Sequence, residues 1–234
     1  ARLRNASSSV ALFAVQGPKS REVVRAFFGV DLKALSYYHF IQFNSRFGDV
    51  LVAQTGYTGE VGFEVFCSMN QASSLWEHLF QTGTPFGLKP IGFGARDTLR
   101  LEARFLLYGH DMTDEITPLE AGLGWTIGWD KNDFIGKRAL EAERASGIKR
   151  KLVGFEVEGR GIARRGAAIF LEGKPAGFVT SGTYSPTLRR NIGLAYAPAE
   201  RAQIGQVIQI EVRNQLLPAR IVKTPFYKRS KEGS

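Results

Sequence analysis

The chain has 234 residues, of which 44% are hydrophobic and 23% charged, with a formal net charge of +9. A chain of this length can bury a core of its own, and an intrachain disulfide is excluded because Cys67 is the single cysteine. Only three histidines are present, and no apolar run approaches the roughly 20 residues of a membrane-spanning helix. We therefore expect a soluble protein with no metal centre and no membrane contact. The residues before Val10 carry no apolar stretch, so no secretory signal is predicted.

The charge balance indicates an acidic partner or substrate, because 31 lysine and arginine residues face 22 aspartate and glutamate residues. Basic residues cluster at positions 149–151, 160–165, 189–190 and 228–231. No recognition helix, zinc finger or aromatic RNA-binding pattern accompanies these clusters, so nucleic-acid binding is disfavoured. A solvated basic face and a docking surface for an acidic protein are both open interpretations.

The first 90 residues predict the element order β-α-β-β-β-α. Strands are expected over residues 10–15, 37–44, 49–55 and 61–66, from their β-branched and aromatic residues. Helices are expected over residues 19–28 and after Asn70, a residue suited to cap a helix. This order favours an α+β fold, an antiparallel sheet with helices on one face.

Further along the chain the pattern changes from helices to short strands. Helices are predicted over residues 94–104 and 137–144, with a long irregular stretch between them. Regularly spaced strands with glycine-rich turns then favour a small barrel or sandwich. We predict two domains, an α+β region at residues 1–147 and a C-terminal β-barrel at residues 148–234. The six predicted strands of the barrel cover residues 152–157, 167–171, 176–181, 192–196, 207–212 and 219–222.

Two segments stand out chemically. In residues 55–64, a glycine-rich turn leads into a strand where Glu64 and its neighbour Phe63 point to opposite faces. A carboxylate can accept two parallel hydrogen bonds from a flat heterocycle such as a pterin, and Tyr57 could stack on that ring. The alternative is that Glu64 pairs with a lysine on an exposed strand face.

The second segment, residues 94–104, predicts a helix with arginines on one face. Arg96 could bind a carboxylate or an electron-rich ring, while the same face could equally be solvated and held by local ion pairs involving Arg100. The sequence lacks the residues that the motifs of phosphate-binding loops, dinucleotide folds, α/β-hydrolases and zinc proteases require.

Taken together, these segments resemble the aminomethyltransferase family, the T-protein of the glycine cleavage system. The resemblance runs from about Ser9 to Arg229. Motifs similar to those of the family occur in order along the chain, at residues 56–60, 95–103, 107–112, 117–121, 124–126, 133–136 and 180–188.

The resemblance implies a transferase of glycine catabolism and one-carbon metabolism that uses tetrahydrofolate as its one-carbon acceptor. Its partner would be the lipoylated H-protein, a small acidic carrier of the aminomethyl group, and the compartment would be the bacterial cytoplasm or the mitochondrial matrix. By resemblance, Tyr57, Glu64 and Arg96 belong to the folate site, and Arg229 or its neighbour Lys228 closes it.

The resemblance also implies a catalytic aspartate in an N-terminal portion of the family that has no counterpart among these residues. The catalytic residue of this chain is therefore unknown. Two alternatives stay open beside the aminomethyltransferase: a non-catalytic fragment that binds folate or a partner, and a related folate-dependent demethylase acting on another donor.

Overall fold

Alternating apolar side chains in the first part of the chain form a four-stranded antiparallel sheet. In the computed structural model of the protein, which describes residues 2–229, strands β1 (Val10–Gln16), β2 (Phe40–Ser45), β3 (Gly48–Ala53) and β4 (Gly62–Ser68) lie in the order β1-β4-β3-β2. Strands β2, β3 and β4 form the predicted meander, and β1 pairs with β4 along its whole length. The predicted antiparallel arrangement is confirmed.

Two helices, α1 (Ser20–Phe28) and α2 (Ala72–Gly83), share one hydrophobic core with this sheet. Alternate strand residues such as Phe63 and Val65 contribute to that core because successive side chains of a strand point to opposite faces. The expectation that Asn70 caps the second helix is wrong. Asn70 lies within a 3-10 turn, Met69–Gln71, and the α-helix begins only after that turn.

The last part of the chain forms a closed six-stranded barrel, in which every neighbouring pair of strands is antiparallel. The barrel predicted from the short strands is therefore confirmed. Its strand order is β10-β5-β8-β7-β6-β9. The strands are β5 (Arg150–Val157), β6 (Ala168–Leu171), β7 (Lys174–Ser185), β8 (Arg190–Pro198), β9 (Val207–Val212) and β10 (Gln215–Val222).

The described residues form two compact units, residues 2–96 and residues 97–229. Helix α3 (Phe93–Glu102) spans the division, and helix α4 (Lys137–Ser146) belongs to the second unit. Residues 97–147, assigned to the first domain by sequence, thus fall in the same unit as the barrel strands; the division into domains stays a prediction. Within the described residues, no helix has the length and apolar character needed to cross a membrane.

A buried ion pair joins α3 to the barrel in the second unit. Arg100 is 1% exposed and Asp111 is fully buried. The Arg100 Nη1 donates to Asp111 Oδ2 at 2.5 Å, and the Arg100 Nη2 donates to the Ser181 hydroxyl of β7 at 2.8 Å. Thr180 and Ser181 donate to the other Asp111 oxygen at 2.6 and 2.7 Å. Both charges are thus taken out of water with hydrogen-bond partners supplied.

This network corrects the alternative in which Arg100 belongs to a solvated face. The expected local pair does form, since Arg100 Nη2 lies 2.7 Å from Asp97 Oδ1. The side chain of Asp97, however, is 51% exposed, and the fully buried partner is Asp111. The irregular stretch that carries Asp111 is therefore part of the packed structure.

We expect Asp111→Asn to lower the free energy of unfolding by about 3 kcal/mol, because a buried guanidinium loses its buried counter-charge. The matched control is Asp97→Asn, which removes the exposed partner of the same arginine and is expected to cost about 1 kcal/mol or less. Urea unfolding of both variants measures the difference. Equal losses would show that the exposed Asp97 stabilises Arg100 as much as the buried Asp111 does.

Candidate functional site

The glycine loop, residues 55–62, is ordered by one side chain from β1. The Gln16 Nε2 donates to the carbonyl oxygen of Thr55 at 3.2 Å, and the Gln16 Oε1 accepts from the Thr58 hydroxyl at 3.1 Å. At the far end of the loop the Gly17 amide donates to the carbonyl oxygen of Val61 at 2.8 Å. These bonds hold the segment that carries Tyr57 against the end of the sheet.

Two glycines of the loop make room for the Gln16 amide. A Cβ at Gly56 would lie 1.9 Å from Gln16 Oε1, and a Cβ at Gly62 would lie 2.1 Å from the same atom. Gly59 has a φ of +79°, a conformation that favours glycine. Gly56 and Gly62 thus accommodate a side chain of the protein itself.

Glu64 lies in the middle of β4 on the face opposite the helices. Its cross-strand neighbours are Ala14 of β1 and Ala53 of β3, so no bulky side chain stands directly beside it on either strand. The neighbouring Phe63 is fully buried on the helix side, as the alternation predicts. Glu64 is therefore flanked by a small residue on each neighbouring strand.

The carboxylate of Glu64 is half-buried and lacks a protein partner. It accepts no hydrogen bond and forms no ion pair with any residue in the range 2–229, so the alternative of a lysine partner is not observed. Burial raises the pKa of Glu64 above its ordinary value, and the positive charge of Arg96 partly offsets that rise. A desolvated carboxylate without a partner is a candidate ligand-binding group.

Arg96, on the first turns of α3, connects the other two predicted residues. Its guanidinium carbon lies 4.7 Å from the centroid of the Tyr57 ring, a cation–π arrangement, and its charge acts on Glu64. The Arg96 side chain is exposed, while Tyr57 is half-buried. An aromatic ring, a cation and a carboxylate thus form one cluster, which we call the Tyr57–Glu64–Arg96 cluster.

The structure brings three of the four predicted site residues together. Arg229 belongs to the other unit, where it follows β10 as an exposed side chain, and its assignment to the folate site stays a prediction. Sequence reasoning missed Gln16, because only the folded sheet places it beside residues about 40 positions away. In residues 2–229 no group of histidine, cysteine, aspartate and glutamate side chains could hold a metal ion.

Comparison with known proteins assigns both parts of the chain. The family model of the GCVT N-terminal domain matches residues 1–131, and that of the glycine cleavage T-protein C-terminal barrel domain matches residues 150–228. The aminomethyltransferase of Bacillus subtilis strain 168 is 45% identical over 227 residues, which are 96% of this chain. That of Shouchella clausii is 47% identical over 232 residues, or 98% of this chain.

A comparison with solved structures supports the same family. A crystal structure of the glycine cleavage system aminomethyltransferase T from Bartonella henselae is similar, with a TM-score of 0.86 and 29% identity over 94% of this chain. The matched residues make up 60% of that chain and 63% of the two bacterial relatives, so this chain spans less than two thirds of their length. With both family models matched in order, the chain belongs to the aminomethyltransferase family of glycine cleavage T-proteins.

Proposed function

We propose that this chain carries the tetrahydrofolate-binding residues of a glycine cleavage aminomethyltransferase. In the reaction, tetrahydrofolate takes the methylene group from the aminomethyl-dihydrolipoyl arm of the H-protein, which releases ammonia and leaves methylenetetrahydrofolate and the dihydrolipoyl arm. The observation that carries the proposal is the half-buried, unpartnered carboxylate of Glu64 beside Arg96 and Tyr57 in a chain of this family.

The chemistry of the cluster suits a pterin. A carboxylate accepts hydrogen bonds from a ring N–H and an adjacent amino group, which the pterin edge offers side by side. The residues beside Glu64 on the neighbouring strands, Ala14 and Ala53, are small enough to leave space for such a ring, and Tyr57 supplies an aromatic face. These residues bind and orient the folate, and we assign no proton-transfer group within this chain.

The charge of the chain supports an acidic carrier as the second substrate. A net charge of +9 attracts a negatively charged protein and raises its rate of encounter. The bacterial source of the similar aminomethyltransferases favours the cytoplasm as the site of the reaction. We include the lipoylated H-protein as the proposed partner and the cytoplasm as the proposed compartment.

Removal of the negative charge of Glu64 is the first test. We expect Glu64→Gln to weaken the binding of tetrahydrofolate by about 10- to 150-fold, because hydrogen bonds to a charged group are each worth about 1.5–3 kcal/mol. Calorimetric titration of the chain under reducing conditions measures the change. Glu77→Gln is the control, since Glu77 is exposed on α2, the helix that covers the opposite face of the sheet.

The titration has three outcomes, and each bears on the proposal. A selective loss in Glu64→Gln supports the proposed pterin contact. Equal affinity in the two variants would remove Glu64 from the site, and no binding by the unmodified chain would contradict the proposal that this part of the protein holds the folate.

The pH dependence of folate binding provides an independent test. Because burial raises the pKa of Glu64 above 4.5, the carboxylate becomes protonated at a higher pH than an exposed glutamate would. The affinity advantage of the unmodified chain over Glu64→Gln should therefore be full at neutral pH and shrink as the pH is lowered toward that pKa. Taking the ratio of the two affinities at each pH cancels the titration of the folate itself. A ratio that stays constant over this range would contradict the role of the Glu64 charge.

The Gln16 contacts should matter for the loop that carries Tyr57. We expect Gln16→Met to lose bonds worth about 1 kcal/mol each, so amide hydrogen exchange in residues 55–62 becomes faster and folate affinity falls several-fold. The control is Gln42→Met, the same change at an exposed glutamine of β2 that forms no side-chain hydrogen bond with the residues described. Unchanged exchange in the loop of Gln16→Met would show that the loop is held by other contacts.

A further inference from the structure

A basic cleft lies at one end of the barrel, within the second unit. It has a volume of about 660 Å³, in the range of small-molecule sites. The β5–β6 loop contributes Arg160, Arg164 and Arg165 to its lining, and the β9–β10 turn contributes Arg213. Glu211 is the one acidic residue in the lining. The cleft shares no residue with the Tyr57–Glu64–Arg96 cluster.

All four arginines lack a counter-charge. Each is exposed, and none forms an ion pair with a residue between positions 2 and 229. Two other exposed arginines of the barrel are paired: Arg190 with Glu156 at 3.0 Å and Arg220 with Glu158 at 2.9 Å. Like charges crowded around a concave surface repel one another, and a bound anion would relieve that repulsion.

The loop that carries the arginines is anchored to the barrel. Ala163, in its middle, is buried in the barrel core, and the Gly166 amide donates to the carbonyl oxygen of Val179 at 2.8 Å. The Arg164 Nη1 donates to the carbonyl oxygen of Gly182 at 3.2 Å. The absence of a side chain at Gly182 permits this packing, because a Cβ there would lie 1.9 Å from the Ala163 carbonyl oxygen. The backbone of the loop and the Arg164 side chain are therefore held in place before any ligand arrives.

Arg213 occupies a backbone position that disfavours arginine. The two residues of the β9–β10 turn, Arg213 and Asn214, have φ values of 52° and 63°. Such turns favour asparagine, aspartate or glycine at both positions, because a larger side chain is strained at positive φ. Asn214 follows that preference and Arg213 does not. The strained position nevertheless places an unpaired guanidinium in the lining of the cleft.

We propose that this cleft binds a small molecule that bears two or more adjacent phosphate or carboxylate groups. A guanidinium presents a planar fork of donors that matches the oxygens of either group, and several forks around one cleft match a multivalent anion better than a single charge. A concave site of this volume fits a small molecule rather than the flat surface of a protein. The site is independent of the proposed folate function.

The test is titration of the chain, without folate, with pyrophosphate, citrate and acetate at constant ionic strength. We expect saturable binding of pyrophosphate or citrate and none of acetate. Tighter binding of pyrophosphate identifies phosphate groups as the ligand chemistry, and the reverse order identifies carboxylates. No saturable binding of either, or binding of an acidic protein alone, would overturn the proposal.

Substitutions of individual arginines test whether the anion binds in the basic cleft. Arg160→Ala and Arg213→Ala should each weaken anion binding several-fold, and the double variant by about tenfold or more. Arg213→Lys should weaken binding less than Arg213→Ala because the charge is retained. The control is Arg138→Ala, which removes the same charge from an exposed, unpaired arginine of α4 outside the cleft. If Arg138→Ala weakened binding as much as either cleft arginine, the attraction would come from overall charge and the cleft assignment would be wrong.

Discussion

The buried ion pair of Arg100 and Asp111 is the constraint on which the second unit depends. Two charges removed from water are tolerated only when their hydrogen bonds are made, and here α3, the irregular stretch and strand β7 each supply part of the network. Tyr196 adds a further bond, from its hydroxyl to the Asp111 carbonyl oxygen at 2.8 Å. A stretch with little regular structure is thereby fixed against the barrel.

In the first unit, by contrast, a charged side chain is partly buried without hydrogen-bond partners among the described residues. Glu64 is half-buried, and its nearest cross-strand neighbours are alanines that can donate no side-chain hydrogen bond. A partly desolvated carboxylate without hydrogen-bond partners costs stability. On the barrel, Arg190 and Arg220 form ion pairs, whereas the four arginines that line the basic cleft form none with the residues described.

Much of the fold could be predicted from local pattern. The alternation around Phe63 and Glu64 assigned one residue to the core and the other to the open face, and the structure agrees. The short strands after residue 150 predicted the barrel, and the family predicted from the motifs is confirmed by both family models. The cap predicted at Asn70 is wrong because Asn70 lies inside the 3-10 turn that precedes α2, so the local preference of one residue did not decide where the helix begins.

What the sequence by itself determined is the class of each segment, namely the sheet with its helices and the barrel, and the family. It also singled out Tyr57, Glu64 and Arg96 as candidate site residues. Only the tertiary structure decided which side chains are neutralised and which are left free. Asp111 meets Ser181 across 70 positions, and Gln16 reaches the glycine loop across about 40. Hydrophobic periodicity is a local property that can be read along the chain, whereas a hydrogen bond between distant residues depends on the register and packing of the folded chain.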